Sequence, residues 1–130
     1  ATTQGGSVWQ NSSLGASYDR DGVPRQHPNM KPEVVAPGER IISTGQDNLW
    51  YSSSGTSDAT VFVTGALALI LQENPRLKAQ ANDDSDCLVR VKQALVDSMA
   101  ETAEGHDPRT GYGQLNAAAW LNESQEIGSC

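Results

Sequence analysis

The stretch YSSSGTSDATVFVTGALALIL, residues Tyr51 to Leu71, decides the fold. A glycine-flanked cluster of hydroxyls runs directly into an apolar segment, Ala59 to Leu71, with Ala, Leu and Ile on every side of a helical wheel. Such a helix is expected to be covered all round and to sit at the centre of the fold. The segment is too short and too interrupted, by Thr64 and Gly65, to cross a bilayer that needs about 20 apolar residues. Glu73-Asn74-Pro75 ends it, because proline disfavours the α conformation in the residue before it and has no N–H to donate. Ser57 therefore heads a buried helix. There it can be a turn residue, a helix cap whose oxygen accepts a backbone N–H, or a nucleophile beside the positive end of the helix.

Outward from that helix, the chain is punctuated by turns and short apolar runs. Residues 1–30 are rich in Gly, Ser, Asn, Asp and Pro; a weak strand is expected at Ser7 to Gln10, and SYDRDGVPRQHPNM reads as a long surface connection. EVVAPG and RIISTG are two β-branched runs bounded by Pro and Gly, the pattern of short buried strands lying close together. After Pro75, RLKAQANDDSD is a polar connection. A second helix is expected from Asp86 to Ala103, with Asp83, Asp84 and Ser85 available to cap it and Leu88, Val91, Leu95 and Met99 as its apolar stripe. GYGQLNAAAWL closes the chain with a turn and a short helix packing Leu115, Ala118 and Trp120.

Bulk properties exclude several functions. With 37% hydrophobic and 19% charged residues, 130 residues suffice for one packed domain, whole or part of something larger. A net charge of −7, with its basic residues scattered singly, repels phosphate backbones and anionic lipid, so neither a nucleic-acid nor a membrane partner is expected. ATTQGGSVWQ has neither the basic start nor the apolar stretch of a signal peptide, as in a mature or excised product. Cys87 and Cys130 could close a disulfide in an oxidising compartment or stand as free thiols. Asn11-Ser12-Ser13 and Asn122-Glu123-Ser124 match the glycosylation pattern, which recurs often by chance.

Ser57 stands in surroundings that suit a nucleophile: glycine two residues before it allows close approach of a substrate backbone, and unpaired N–H groups at the helix start can stabilise an oxyanion. SGTS, followed by a buried glycine-containing helix, resembles the serine motif of the subtilisin-like serine proteases, the subtilases, in which Ser57 falls on the nucleophile. The resemblance extends in order along nearly the whole chain. SSLG, RDG and KPEVVAPGERIIST precede the serine, with an insertion at Val23 to Met30; LILQENP, VRVKQALVDSMAETA and GYGQLNAAAWL follow it.

The resemblance implies an α/β fold, a doubly wound parallel sheet with helices on both faces, of which residues 1–130 would supply only the C-terminal part of the catalytic domain and no second domain. It implies a serine endopeptidase in which Ser57 is catalytic and Gly55 and Thr56 line the substrate cleft. The Asp, His and oxyanion Asn of the family precede the region of resemblance, so the implied partners are a protein or peptide substrate and the N-terminal part of the same catalytic domain. Without that part the chain should be inactive. His27 and His106 match no catalytic histidine and are expected as exposed loop residues. No cofactor is implied and no metal site identified, although structural calcium occurs in the family; the implied location is extracellular. Within the motif, Asp58 replaces a neutral residue, and Val61, Phe62 and Thr64 stand where Pro, His and Ala are frequent. A carboxylate facing the oxyanion would oppose catalysis, whereas one turned away would only complement the helix end. The alternative is a non-catalytic binding or assembly module in which Ser57 is a helix cap.

Overall fold

The computed structural model describes residues 1–78, 86–99 and 105–128. Among them, β1 (Ile41–Thr44) pairs antiparallel with β2 (Trp50–Ser53), and three helices follow: α1 (Thr56–Glu73), α2 (Asp86–Asp97) and α3 (Ala117–Gln125). The hairpin turn at Gln46–Asn48 places Asp47 and Asn48 at positive φ, which short polar side chains tolerate better than most.

The expected doubly wound sheet is not present as a ladder among the described residues; the parallel pairing there consists of two single bridges. Thr2 pairs with Pro37 and Val35 with Gln114, through bonds such as Thr2 N–H to the Ala36 carbonyl and Leu115 N–H to the Val35 carbonyl, both 2.8 Å. Val35 and Ala36 are buried, as EVVAPG suggests, but RIISTG forms β1, which is largely exposed rather than a buried strand. The weak strand at Ser7 to Gln10 reduces to one bridge, Val8 with Thr2. Residues 17–30 form the expected surface connection, in which the Asp19 carboxylate accepts the N–H groups of Asp21 and Val23.

The core lies where the three helices meet. Ile70 of α1, Leu77 in a single 3₁₀ turn at Pro75–Leu77, Val91 and Leu95 of α2 and Trp120 of α3 are all buried together. Trp120 brings a large apolar body, and its one donor is satisfied: Nε1 donates to the Val91 carbonyl at 3.0 Å. Asn116 caps α3, its side-chain oxygen accepting the Ala119 N–H at 3.0 Å. Two expected packing residues are corrected. Leu88 is 65% exposed, because the buried stripe of α2 runs through Cys87, Val91, Ala94 and Leu95 and leaves Leu88 at its edge; Ala118 faces out while Trp120 and Ser124 turn in. Met99 and Leu115 pack as expected. The proposed caps at residues 83–85 and the expected helical residues 100–103 lie outside the described residues, but the second helix ends earlier than expected, at Asp97, with Ser98 and Met99 in a turn.

The larger correction concerns α1. It extends beyond the apolar run at both ends and stops at Asn74 before Pro75, as the proline requires. Yet only Ala59, Ala66 and Ile70 are buried on it, while Val61 is 70%, Leu69 63% and Phe62 43% exposed. A Cβ added to Gly65 would meet nothing within 4 Å. The helix is apolar all round but packed on one side only, because the described residues supply α3, the 3₁₀ turn and the parallel segments on that side and no cover on the other.

Candidate active site

The turn that presents Ser57 is built on backbone held from below. Thr2 accepts the Gly38 N–H at 2.9 Å, and Gly38 in turn accepts the Gly55 N–H at 2.7 Å. Gly38 is needed for this contact. A Cβ there would lie 2.5 Å from the Gly55 carbonyl oxygen and 2.7 Å from the Ala1 Cβ, so any larger residue must push the two segments apart. Around it Ala1, Ala36 and Ala59 form a small buried cluster, the close packing that only short side chains allow.

Gly55 is the N-cap residue of α1, with extended backbone at φ 174° and ψ 163°. That φ does not itself demand glycine, and a Cβ at 55 would find only ordinary contacts, Asp58 Oδ2 at 3.4 Å and Ser57 N at 3.6 Å. Glycine here leaves the space in front of the turn open. Thr56 and Ser57 are the first two helical residues, Thr56 half-buried and Ser57 exposed. Ser57 is thus not the cap: no side chain caps α1, and the Ser57 hydroxyl has no hydrogen-bond partner among the described residues. The first helical turn leaves the N–H groups of Thr56, Ser57 and Asp58 without intrahelical acceptors, a positive end with free donors beside a free hydroxyl.

Asp58 turns towards the hairpin. Its Oδ1 accepts the Ser53 hydroxyl at the end of β2. The neighbouring Ser54 Oγ accepts the Arg40 N–H at 2.8 Å, pinning Arg40, whose φ of 53° lies in the left-handed region. Ser53, Ser54 and Arg40 support the turn without having been singled out from the sequence, where the serine run before Gly55 was a signal for the two serines; Gly38 stood there only as turn punctuation after Pro37.

Both histidines are engaged away from Ser57. His27, exposed as expected, meets the Tyr112 hydroxyl through Nδ1 at 3.0 Å. His106 is half-buried rather than exposed, because its Nε2 donates to the Pro32 carbonyl at 2.9 Å and its ring lies edgewise against Tyr112. Burial, followed by the negative charge of Glu33, raises the pKa of Tyr112. Glu33 itself is bridged by Lys31 and Lys92; burial alone would raise its pKa, but hydrogen bonds and charge from the two lysines outweigh that and lower it. Gly111, at φ 67°, takes the positive φ this turn needs and packs on the Pro32 and Glu33 carbonyls, where a Cβ would come within 2.5 Å of both oxygens. A cavity of about 380 Å³ opens between residues 31–36 and Thr56, Thr60 and Val63, but neither Gly55 nor Ser57 lines it. Among the described residues, no three His, Cys, Asp or Glu side chains gather to hold a metal. Cys87 is buried and disulfide-bonded; Cys130 lies outside the described residues.

The exposed Ser57 at the start of α1 and the parallel backbone bridges beside it combine α and β structure, and comparison with known proteins identifies the relatives of this arrangement. The fold resembles the CspB protease of Clostridium perfringens with a TM-score of 0.58 and 25% identity, over 95% of this chain and 28% of that one. In sequence, an intracellular serine protease of Paenibacillus polymyxa is 46% identical over 61 residues, covering 46% of this chain and 19% of its own. Subtilisin DY of Bacillus licheniformis is 49% identical over 47 residues, 36% of this chain and 17% of its own. The profile of the Subtilase family matches residues 2–113. The chain belongs to the subtilase family. It spans less than a third of the length of these relatives.

Proposed function

We propose that residues 1–130 are the serine-bearing, C-terminal portion of a serine endopeptidase's catalytic domain. Ser57 attacks the scissile carbonyl, its own backbone N–H is one oxyanion donor, and a His and an Asp from the N-terminal portion of the same domain activate it. Gly55 and Thr56 line the cleft, where the missing side chain at 55 lets a substrate backbone approach. The substrate is a protein or peptide.

The observation that carries this reading is the Ser57 hydroxyl, exposed and, among the described residues, unbonded beside the first N–H groups of α1, in a turn whose cap residue is Gly55. The uncovered apolar side of α1 supports the need for an N-terminal portion. Burying the part of Val61, Phe62 and Leu69 that is still exposed would contribute roughly 0.6–2 kcal/mol each, a favourable term open to whatever packs there. By the same logic residues 1–130 alone lack a general base, and turnover by them alone should be negligible. The disulfide at Cys87 supports an oxidising, extracellular location, although the Paenibacillus relative is named as intracellular.

One observation favours a second reading, a non-catalytic assembly module: neither histidine of the chain serves Ser57. Treating the natural protein with a fluorophosphonate probe and mapping the labelled peptide separates the two. Labelling at Ser57 is expected; an unlabelled Ser57 beside a reacting subtilase control would overturn the protease reading.

A further inference from the structure

Three bonds hold the segment between β2 and α1, and they differ in what they join. The Gly55 N–H to Gly38 carbonyl bond and the Arg40 N–H to Ser54 Oγ bond tie the turn to the loop beneath it. The third, from the Ser53 hydroxyl to Asp58 Oδ1, joins the end of the hairpin to the first turn of α1 and closes a ring around Ser54, Gly55, Thr56 and Ser57. A carboxylate at the third position of a helix commonly reaches back to the N-cap amide. Here the Gly55 amide is already taken by Gly38, and Gly55 has no side chain to cap the helix. Asp58 is thereby released to bind Ser53 while its charge still complements the helix end.

We propose that Asp58 is a positioning residue: with Ser53 it forms a latch that holds β2 against α1 and fixes the direction in which the Ser57 hydroxyl points. Its catalytic consequence rests on the protease reading above, whereas its structural consequence does not. A hydrogen bond to a charged group is strong enough that losing it should change a local opening equilibrium by roughly tenfold or more.

The test uses the natural protein with Ser53→Ala, Asp58→Ala, the double variant, and Ser53→Thr, which keeps the hydroxyl. Amide hydrogen exchange of residues 56–60 reads the latch, and the rate of fluorophosphonate labelling, with kcat and KM on a peptide, reads its effect on Ser57. Both single variants should speed first-turn exchange about tenfold and slow labelling by a similar factor. The loss should fall on kcat with KM within about twofold, since the latch aims the nucleophile and does not bind substrate. The double variant should be no worse than Asp58→Ala, and Ser53→Thr should restore wild-type behaviour. If Ser53→Ala leaves exchange unchanged while Asp58→Ala does not, Asp58 acts through its charge and the latch is overturned. If exchange responds as expected but wild-type Ser57 does not label, the latch stands and the protease reading fails. Labelling of Ser57 with exchange that does not respond overturns the latch and leaves the protease reading standing.

Discussion

Replacing Ser57 by Ala separates the roles open to a serine at the head of a helix, because each predicts a different pair of measurements. A capping serine accepts a backbone N–H, and its loss typically costs about 1 kcal/mol. For a domain of about 150–250 residues that is a fall in melting temperature of about 2–4 °C. In the structure the cap position belongs to Gly55 and, among the described residues, the Ser57 hydroxyl has no hydrogen-bond partner, so the substitution removes one exposed, unpaired group. Exposed changes of that kind stay within about 0.5 kcal/mol, or roughly 1–2 °C. Activity should move in the opposite sense. Removing the nucleophile of a triad costs on the order of a million-fold in kcat, which leaves no measurable turnover. The assays are thermal unfolding of the natural protein and its Ser57→Ala variant, alongside peptide hydrolysis and fluorophosphonate labelling. A stability loss of about 1 kcal/mol or more with activity retained would refute this assignment, since it would return Ser57 to a capping role.

Two further outcomes follow from the supporting residues. Gly38→Ala places a Cβ 2.5 Å from the Gly55 carbonyl oxygen, so it should destabilise by about 1–3 kcal/mol and slow labelling of Ser57 by moving its turn; unchanged unfolding and labelling would show that the turn does not depend on this contact. Glu33 has a lowered pKa in the folded state, so its contribution to stability is complete above the ordinary glutamate value near 4.3 and is lost as pH falls through the lower folded value. Glu33→Gln should therefore lower stability at neutral pH and flatten its decline in acid, read as urea midpoints against pH. Parallel curves for the two proteins would exclude the Lys31–Glu33–Lys92 bridge as the source.

Much of this was legible in the sequence because it is local. Pro75 ends α1 through its own covalent geometry, the Ala-rich run after Asn116 forms α3, and the hydroxyl cluster before the apolar run marks where α1 starts, none of them with reference to anything distant. What was not legible depends on which neighbours are available. The orientation of Asp58 is decided by Gly38, which lies far back in the chain and occupies the Gly55 amide, and by a serine hydroxyl at the end of β2. The half-burial of His106 is decided by Pro32 and Tyr112, brought beside it only when the Val35 and Gln114 segments pair.

The error over α1 has the same origin and is the most informative. All-round apolarity does predict that a helix is surrounded, but the surrounding groups need not be on the same stretch of chain. Val61, Phe62 and Leu69 share one exposed flank of α1, and the chain covers 28% of the CspB protease in length while its fold resembles that protease over 95% of its own. The same helix carries Ser57 at its start and this uncovered flank along its length. Under the proposed function, a portion that buries the flank would be braced by the same helix that carries Ser57, so completing the core and bringing a histidine to Ser57 would be one packing event.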